Sequence, residues 1–111
     1  MKAWAAALAS ELQDWPNVHT KPMFGMTAFY RGTRIFAAVP RTRAVNSPNG
    51  LLIKLKQPSP RIAKLATSDP NIETSEMSFS GWLVYEMNSL ADVNRVLRWL
   101  QRAYEAAKSS A

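Results

Sequence analysis

Apolar side chains recur at helical spacing near the beginning of the chain. In residues 2–14 and the tryptophan that follows, the face so formed carries Trp4, Leu8, Leu12 and Trp15. Pro16 and Asn17 then interrupt the pattern, because proline cannot continue a helix and asparagine favours a turn. We therefore predict a first helix over residues 2–14.

Two further helices are predicted in the second half of the chain. A short one lies between Ser59 and Asp69, and its buried side chains are expected to be Ile62, Leu65 and Ala66. The stronger pattern follows Ser89 and Asp92, whose spacing is that of a capping box. Its apolar stripe consists of Leu90, Val93, Leu97, Leu100 and Tyr104. This spacing predicts a long final helix with the stripe facing the core.

The middle of the chain has the pattern of strands. Met26–Arg31 and Arg34–Val39 are joined by Gly32-Thr33, and glycine at the first central position favours a type II′ hairpin turn. Leu51–Lys56 alternates apolar and basic side chains, which is typical of a half-buried strand. The other predicted strands are Val18–Phe24, with Pro22 marking a sheet edge, and a second hairpin of Thr74–Phe79 and Trp82–Met87.

The position of the first turn predicts the register of its hairpin. Counting outward from the turn places Arg31 opposite Arg34 and Phe29 opposite Phe36. The core face would then carry Met26, Ala28, Tyr30, Ile35, Ala37 and Val39. The other face would carry Thr27, Phe29, Arg31, Arg34, Phe36 and Ala38. Because opposed like charges cost about 0.2–1 kcal/mol, a bound anion would relieve the two arginines.

These elements predict one α+β domain over residues 1–111. Its expected architecture has two layers, an antiparallel sheet of about five strands packed against helices, in the order α-β-β-β-α-β-β-α. No segment approaches the roughly 18 consecutive apolar residues that span a bilayer. The chain also has no cysteine. A cytoplasmic location is the expectation that follows.

Two stretches of the chain resemble known families. The run from Lys21 to Val39, with Met23-Phe24-Gly25 ahead of the hairpin, looks like the opening of TfoX N-terminal-type domains. Trp82-Leu83-Val84-Tyr85, followed by a helix that ends near Glu105, is similar to the related MmcQ/YjbR family. The resemblance implies a fold like that of type III secretion chaperones. It also implies a DNA-binding or regulatory role, and it brings no catalytic motif.

Charge is unevenly distributed along the chain. The net charge is +6, and no acidic residue occurs between Asp14 and Asp69. The basic residues of that interval are Lys21, Arg31, Arg34, Arg41, Arg43, Lys54, Lys56, Arg61 and Lys64. A field of one sign attracts polyanions or acidic partners, and a surface of this kind also serves solubility.

Residue types that carry catalysis or bind metals are sparse. His19 is the only histidine and there is no cysteine, so the residues for a zinc site or a catalytic triad are lacking. The eight carboxylates are scattered, and the four glycines match neither a P-loop nor a dinucleotide-binding fingerprint. The sequence therefore predicts neither an enzyme nor a cofactor.

The leading hypothesis is a non-enzymatic binding module that engages a polyanion, nucleic acid above all, through its basic middle segment. The candidate nucleic-acid-binding residues are Arg31, Arg34, Arg41, Arg43, Lys54, Lys56, Arg61 and Lys64. Phe29 and Phe36 would add rings on which bases stack. The same rings would be buried if a helix covers this face of the sheet.

Other interpretations remain open on the sequence alone. Arg95, Arg98 and Arg102 form a basic stripe on the final helix, which suits a groove-reading helix but is more typical of a solvated face. The alternative functions are a protein-interaction or chaperone-like module and, less favoured, a small-molecule-binding domain. The partner would then be an acidic protein or a small ligand instead of nucleic acid.

Overall fold

The computed structural model describes residues 3–23, 25–40, 50–55, 60–73 and 82–107. Its helices are α1 (Ala3–Gln13), α2 (Pro60–Ser68) and α3 (Val93–Ala106), with a 3₁₀ turn at Leu90–Asp92 ahead of α3. Its strands are β1 (Val18–Met23), β2 (Met26–Arg31), β3 (Arg34–Pro40), β4 (Gly50–Lys54), β5 (Ile72–Glu73) and β6 (Trp82–Glu86). Within these ranges no helix is long and apolar enough to cross a membrane.

The strands form one antiparallel sheet in the order β1-β2-β3-β4-β6-β5. This confirms the predicted α+β class, although the described chain has four strands before α2 instead of three. β1 lies at one edge, as Pro22 predicted, because proline has no N–H to donate to a second neighbouring strand. β6 pairs with Ile72 and Glu73. Its predicted partner strand, Thr74–Phe79, lies outside the described residues.

The three helices pack on the same face of this sheet. α1 contacts β1 and β3, and α3 contacts β3 and β4. On α2, Ala66 belongs to the same core, with Ile62 packed against it. The largest fully buried side chains are Tyr85, Phe29, Phe36, Leu8, Leu12, Leu51, Ile53, Met87, Leu100, Val39 and Val96. Burying a side chain of this size contributes about 1.5–3 kcal/mol, so this interface holds the two layers together.

The first hairpin turns at Gly32-Thr33 as predicted, and its register then departs from the prediction. Gly32 has the positive φ, 62°, that this turn position requires. Phe29 pairs with Ala37, so the predicted pairing with Phe36 is wrong. A β-bulge leaves Phe36 as an extra residue on β3. Because of the bulge, the adjacent Phe36 and Ala37 are both fully buried.

The predicted faces of the hairpin are wrong for β2 and for Phe36, whereas Ala37 and Val39 lie in the core as predicted. Phe29 and Phe36 were expected on the outer face and are 0% exposed in the core. Phe36 stacks on Trp15 with ring centroids 6.3 Å apart and meets the ring of Tyr104 edge-on at 5.5 Å. Helices therefore cover these rings, and the predicted base-stacking platform is wrong. By the alternation of side chains along a strand, the predicted core face of β2 points away from the helices.

The buried stripe of α3 is rotated from its predicted position. It consists of Val96, Trp99, Leu100, Ala103 and Tyr104. Leu90 is 61% exposed and Leu97 is only partly buried. The 3₁₀ turn puts Leu90 out of phase with the α-helix that follows. Leu100 and Tyr104 are buried as predicted, and the stripe extends from them to Val96, Trp99 and Ala103, which the predicted stripe did not include. The predicted cap is confirmed, since Ser89 Oγ and Asp92 Oδ2 both accept capping hydrogen bonds.

Candidate anion-binding site

Five of the eight candidate basic residues lie in the described parts of the structure. Arg31 ends β2, Arg34 begins β3 and Lys54 ends β4. Arg61 and Lys64 are on α2. The three that lie outside the described residues are Arg41, Arg43 and Lys56. The candidates therefore have to be judged by the contacts that each element makes.

Arg31 is held by the C-terminal end of α3. Its Nη1 donates a hydrogen bond to the backbone oxygen of Tyr104 at 3.0 Å, and its guanidinium carbon lies 4.0 Å from the centroid of the Tyr104 ring. The same nitrogen is 3.9 Å from Glu105 Oε2. The last carbonyls of a helix carry partial negative charge, so a cation there stabilises it by about 0.3–1 kcal/mol. Contacts within the fold thus explain the position of the Arg31 side chain without a bound anion.

Arg34 and Lys54 line an open cleft of about 440 Å³ at the same end of α3. The other lining residues are Thr33, Ile35, Ala103, Ala106 and Ala107. Lys54 Nζ also lies 4.9 Å from the centroid of the Trp82 ring. Because the carbonyl end of a helix attracts cations, the fold explains this pair without a ligand.

A second open cleft, of about 350 Å³, lies between α2 and α3 and contains three guanidinium groups. They belong to Arg95, Arg98 and Arg102, whose spacing of three and four residues places them on one side of the helix. The other lining residues are Leu65, Ser68, Asp69, Pro70 and Trp99. We call this site the arginine cleft. The basic stripe seen in the sequence therefore lines a shallow cleft that is open to solvent and has α2 as its other wall.

On the α2 wall of the arginine cleft, one residue differs from its predicted burial, and two of the candidate basic residues lie nearby. Leu65, predicted to be buried, is 40% exposed, because Ala66 occupies the core side of α2. Arg61 lies one turn before Leu65 on the same side of the helix. Lys64 likewise lies one turn before Ser68, which also lines the cleft. Both basic residues of α2 thus lie on the side of the helix that borders the cleft.

Asp69 is the one carboxylate among the described residues that line the arginine cleft, and both of its oxygens accept hydrogen bonds. Oδ2 accepts from Nε1 of Trp99 at 3.1 Å, and Oδ1 accepts from the backbone N–H of Asn71 at 2.9 Å. These contacts join the end of α2 to α3. Among the described residues, Asp69 is the carboxylate that lines the cleft itself, and Arg98 also borders a groove between α1 and α3 that Glu11 and Glu105 line.

The three arginines are held in different ways. Arg95 Nη1 donates a hydrogen bond to Asn71 Oδ1 at 3.2 Å. The guanidinium carbon of Arg102 lies 4.5 Å from the centroid of the Trp99 ring. Arg98 is exposed, and it makes no hydrogen bond or ion pair with any residue that the structure describes. Two guanidinium groups are thus positioned in advance, and the third is available to a ligand.

The side chain of Tyr85 is electrostatically coupled to this site. It is fully buried, and its hydroxyl has no hydrogen-bond partner among the described residues. Burial raises the pKa of Tyr85 to about 12, the charge of Asp69 adds to the rise, and the charge of Arg95 opposes it. Tyr85 is consequently neutral at physiological pH and adds no charge beside Asp69 and Arg95.

Convergent guanidinium groups bind anions by paired, charge-assisted hydrogen bonds. Among the described residues no group of three or more histidine, cysteine, aspartate or glutamate side chains could hold a metal ion. Comparison of the chain with family models, curated proteins and solved structures gives no match. The resemblance to TfoX and YjbR domains stays a prediction, and the chemistry of the arginine cleft has to support any functional proposal.

Proposed function

We propose that this chain is a non-enzymatic binding module that holds nucleic acid through phosphate contacts in the arginine cleft. The observation that carries the proposal is the convergence of Arg95, Arg98 and Arg102 on one cleft. Among the described residues, the only carboxylate lining that cleft is Asp69, which is engaged by Trp99 and Asn71. Phosphate oxygens are the natural acceptors for a set of planar, five-donor guanidinium groups.

The spacing of the arginines favours a bound anion. Like charges three or four residues apart destabilise a helix by about 0.2–0.5 kcal/mol per pair, and α3 contains two such pairs. Arg95 also lies in the first turn of α3, where the helix dipole disfavours a cation and favours an anion. A phosphate that contacts two of these groups would reverse both effects.

The charge of the whole chain supports a polyanion over a single small anion. The net charge is +6, and a one-signed field of this kind increases the rate of encounter with a polymer of opposite charge. Arg61, on the α2 side of the cleft, would extend the contact beyond one phosphate. Contacts to phosphate position a nucleic acid without reading its sequence, so we expect weak sequence preference.

A charge-neutralising pair of variants tests this proposal. Arg98→Gln removes a guanidinium group from the arginine cleft, and Lys21→Gln removes the same charge from exposed Lys21 on β1, at the opposite edge of the sheet from β5. We expect Arg98→Gln to weaken binding by about tenfold, since a charge-assisted hydrogen bond contributes about 1.5–3 kcal/mol. The slope of log affinity against log salt should become shallower by about 1. Fluorescence anisotropy with labelled DNA over a salt series measures both quantities.

The matched variant shows whether binding depends on the arginine cleft or on the overall positive charge of the protein. Lys21→Gln should change affinity by less than about threefold, because a distant exposed charge acts weakly through water. Equal losses for the two variants would show that net charge alone drives binding. Absence of binding at low salt, where even non-specific association is strong, would eliminate the nucleic-acid proposal.

One observation favours the second candidate, an acidic protein partner. Leu65 is 40% exposed and lines the arginine cleft beside the three arginines. An acidic peptide with one apolar anchor would match that combination of charge and exposed apolar surface. If Leu65→Ser weakened capture of an acidic peptide while DNA failed to bind, this candidate would replace the first.

A further inference from the structure

One of the three guanidinium groups in the arginine cleft lies against an aromatic ring. The guanidinium carbon of Arg102 is 4.5 Å from the centroid of the Trp99 ring. Trp99 is only 3% exposed, and its Nε1 is fixed by the hydrogen bond to Asp69. The indole is therefore a rigid support on which Arg102 is held, whereas Arg98 has no comparable support.

A supported guanidinium group is a surface for a nucleobase. Arginine is planar and delocalised, so it stacks on aromatic rings and on bases alike. Arg102 lies over the indole and remains partly exposed, in a cleft that is open to solvent. From these contacts we infer that the arginine cleft binds single-stranded nucleic acid, with one unpaired base stacked on Arg102. This inference rests on the proposed function and specifies its ligand.

The neighbouring arginines are spaced to hold the strand that carries this base. Along α3, Arg98 lies about 6 Å and Arg95 about 10.5 Å from Arg102, at 1.5 Å per residue. A phosphate on Arg98 would thus be adjacent to a base on Arg102. In a duplex the faces of the bases are covered by their neighbours, so only a splayed base of a single strand can reach Arg102.

Three labelled ligands and two charge-conserving variants test the inference. The ligands are a short DNA strand, an abasic strand of equal length and a duplex, compared by fluorescence anisotropy at one salt concentration. The variants are Arg102→Lys, which keeps the charge but loses the planar group, and the matched Arg98→Lys. We expect the wild-type chain to bind the base-containing strand at least about fivefold more tightly than the abasic strand.

The variants decide whether Arg102 is the source of that preference. Arg102→Lys should abolish the preference for the base-containing strand, so that the variant binds the base-containing and abasic strands with equal affinity. Arg98→Lys should affect both strands by the same factor. Equal wild-type affinities for the two strands, tighter binding of the duplex, or a preference that survives in Arg102→Lys would each overturn the inference. If none of the three ligands bound, the proposed function itself would be wrong, which is a distinguishable result. Thermal melts confirm that both variants are folded.

Discussion

At the scale of single residues, Tyr85 is the clearest conflict between burial and polarity. Its hydroxyl is buried without a partner among the described residues, and leaving a buried donor unpaired costs about 1–3 kcal/mol. The ring itself is one of the largest fully buried side chains. The side chain therefore stabilises the core through its ring and weakens it through its hydroxyl.

The raised pKa of Tyr85 predicts a loss of stability in alkaline solution. With a folded-state pKa of about 12 and an unfolded value of about 10, the unfolded chain releases the proton first as the pH rises. Stability is therefore unaffected below about pH 10 and falls between about pH 10 and 12, by about 1–3 kcal/mol. Urea unfolding at a series of pH values measures the fall.

Tyr85→Phe separates this effect from the titration of lysine and arginine side chains. The variant should be at least as stable as the wild-type chain at pH 7, because the unpartnered hydroxyl is removed and the ring is kept. Its alkaline loss of stability should be smaller than that of the wild type. A large loss of stability at pH 7 would show instead that the hydroxyl has a stabilising partner.

At the scale of elements, α3 both closes the core and carries the proposed site. One side buries Val96, Leu100 and Ala103 against the sheet, and another presents the three arginines to α2. Asp69 connects the two helices through its hydrogen bond to Trp99. The packing of α3 therefore determines where the guanidinium groups lie.

The rotation of the buried stripe of α3 can be measured with two leucine truncations. Leu100→Ala should cost about 2–5 kcal/mol, because Leu100 is fully buried and its loss leaves a cavity. Leu97→Ala should cost only about 1 kcal/mol, because Leu97 is partly buried and lines an open groove between α1 and α3. Equal losses in urea unfolding would contradict the structure and favour the stripe predicted from the sequence.

At the scale of the whole molecule, the surplus of positive charge opposes folding. The net charge is +6, and compacting a chain of one sign increases its self-repulsion. Among the described residues the one ion pair joins Arg31 and Glu105 across 3.9 Å, and Glu105 is 62% exposed. Such an exposed pair offsets little of the repulsion.

Added salt should consequently stabilise the protein. Raising ionic strength from about 0.01 M to about 0.15 M shortens the screening length from about 30 Å to about 8 Å. We expect the thermal unfolding midpoint to rise over this range. Arg98→Gln should rise less, since it begins with a smaller charge. A midpoint that falls with salt would mean that attractive pairs dominate over repulsion.

The sequence by itself determined the features that depend on neighbours in the chain. The turn at Gly32-Thr33, the capping box at Ser89 and the edge position of Pro22 were all predicted correctly. Each depends on a backbone angle, a local hydrogen bond or a missing N–H, which a few adjacent residues specify. The helical and strand periods that led to the α+β class are local in the same sense.

Tertiary structure alone decided which side of each element is buried and which charges meet. The extra residue at Phe36 places this side chain in the core of the protein. Its ring packs there against Trp15 and Tyr104. Arg31 donates a hydrogen bond to the end of α3, more than 70 residues later in the chain. The arginine cleft exists because Asp69 and Trp99 bring α2 beside α3. Contacts between residues distant in sequence determine these features, and no local spacing specifies such contacts.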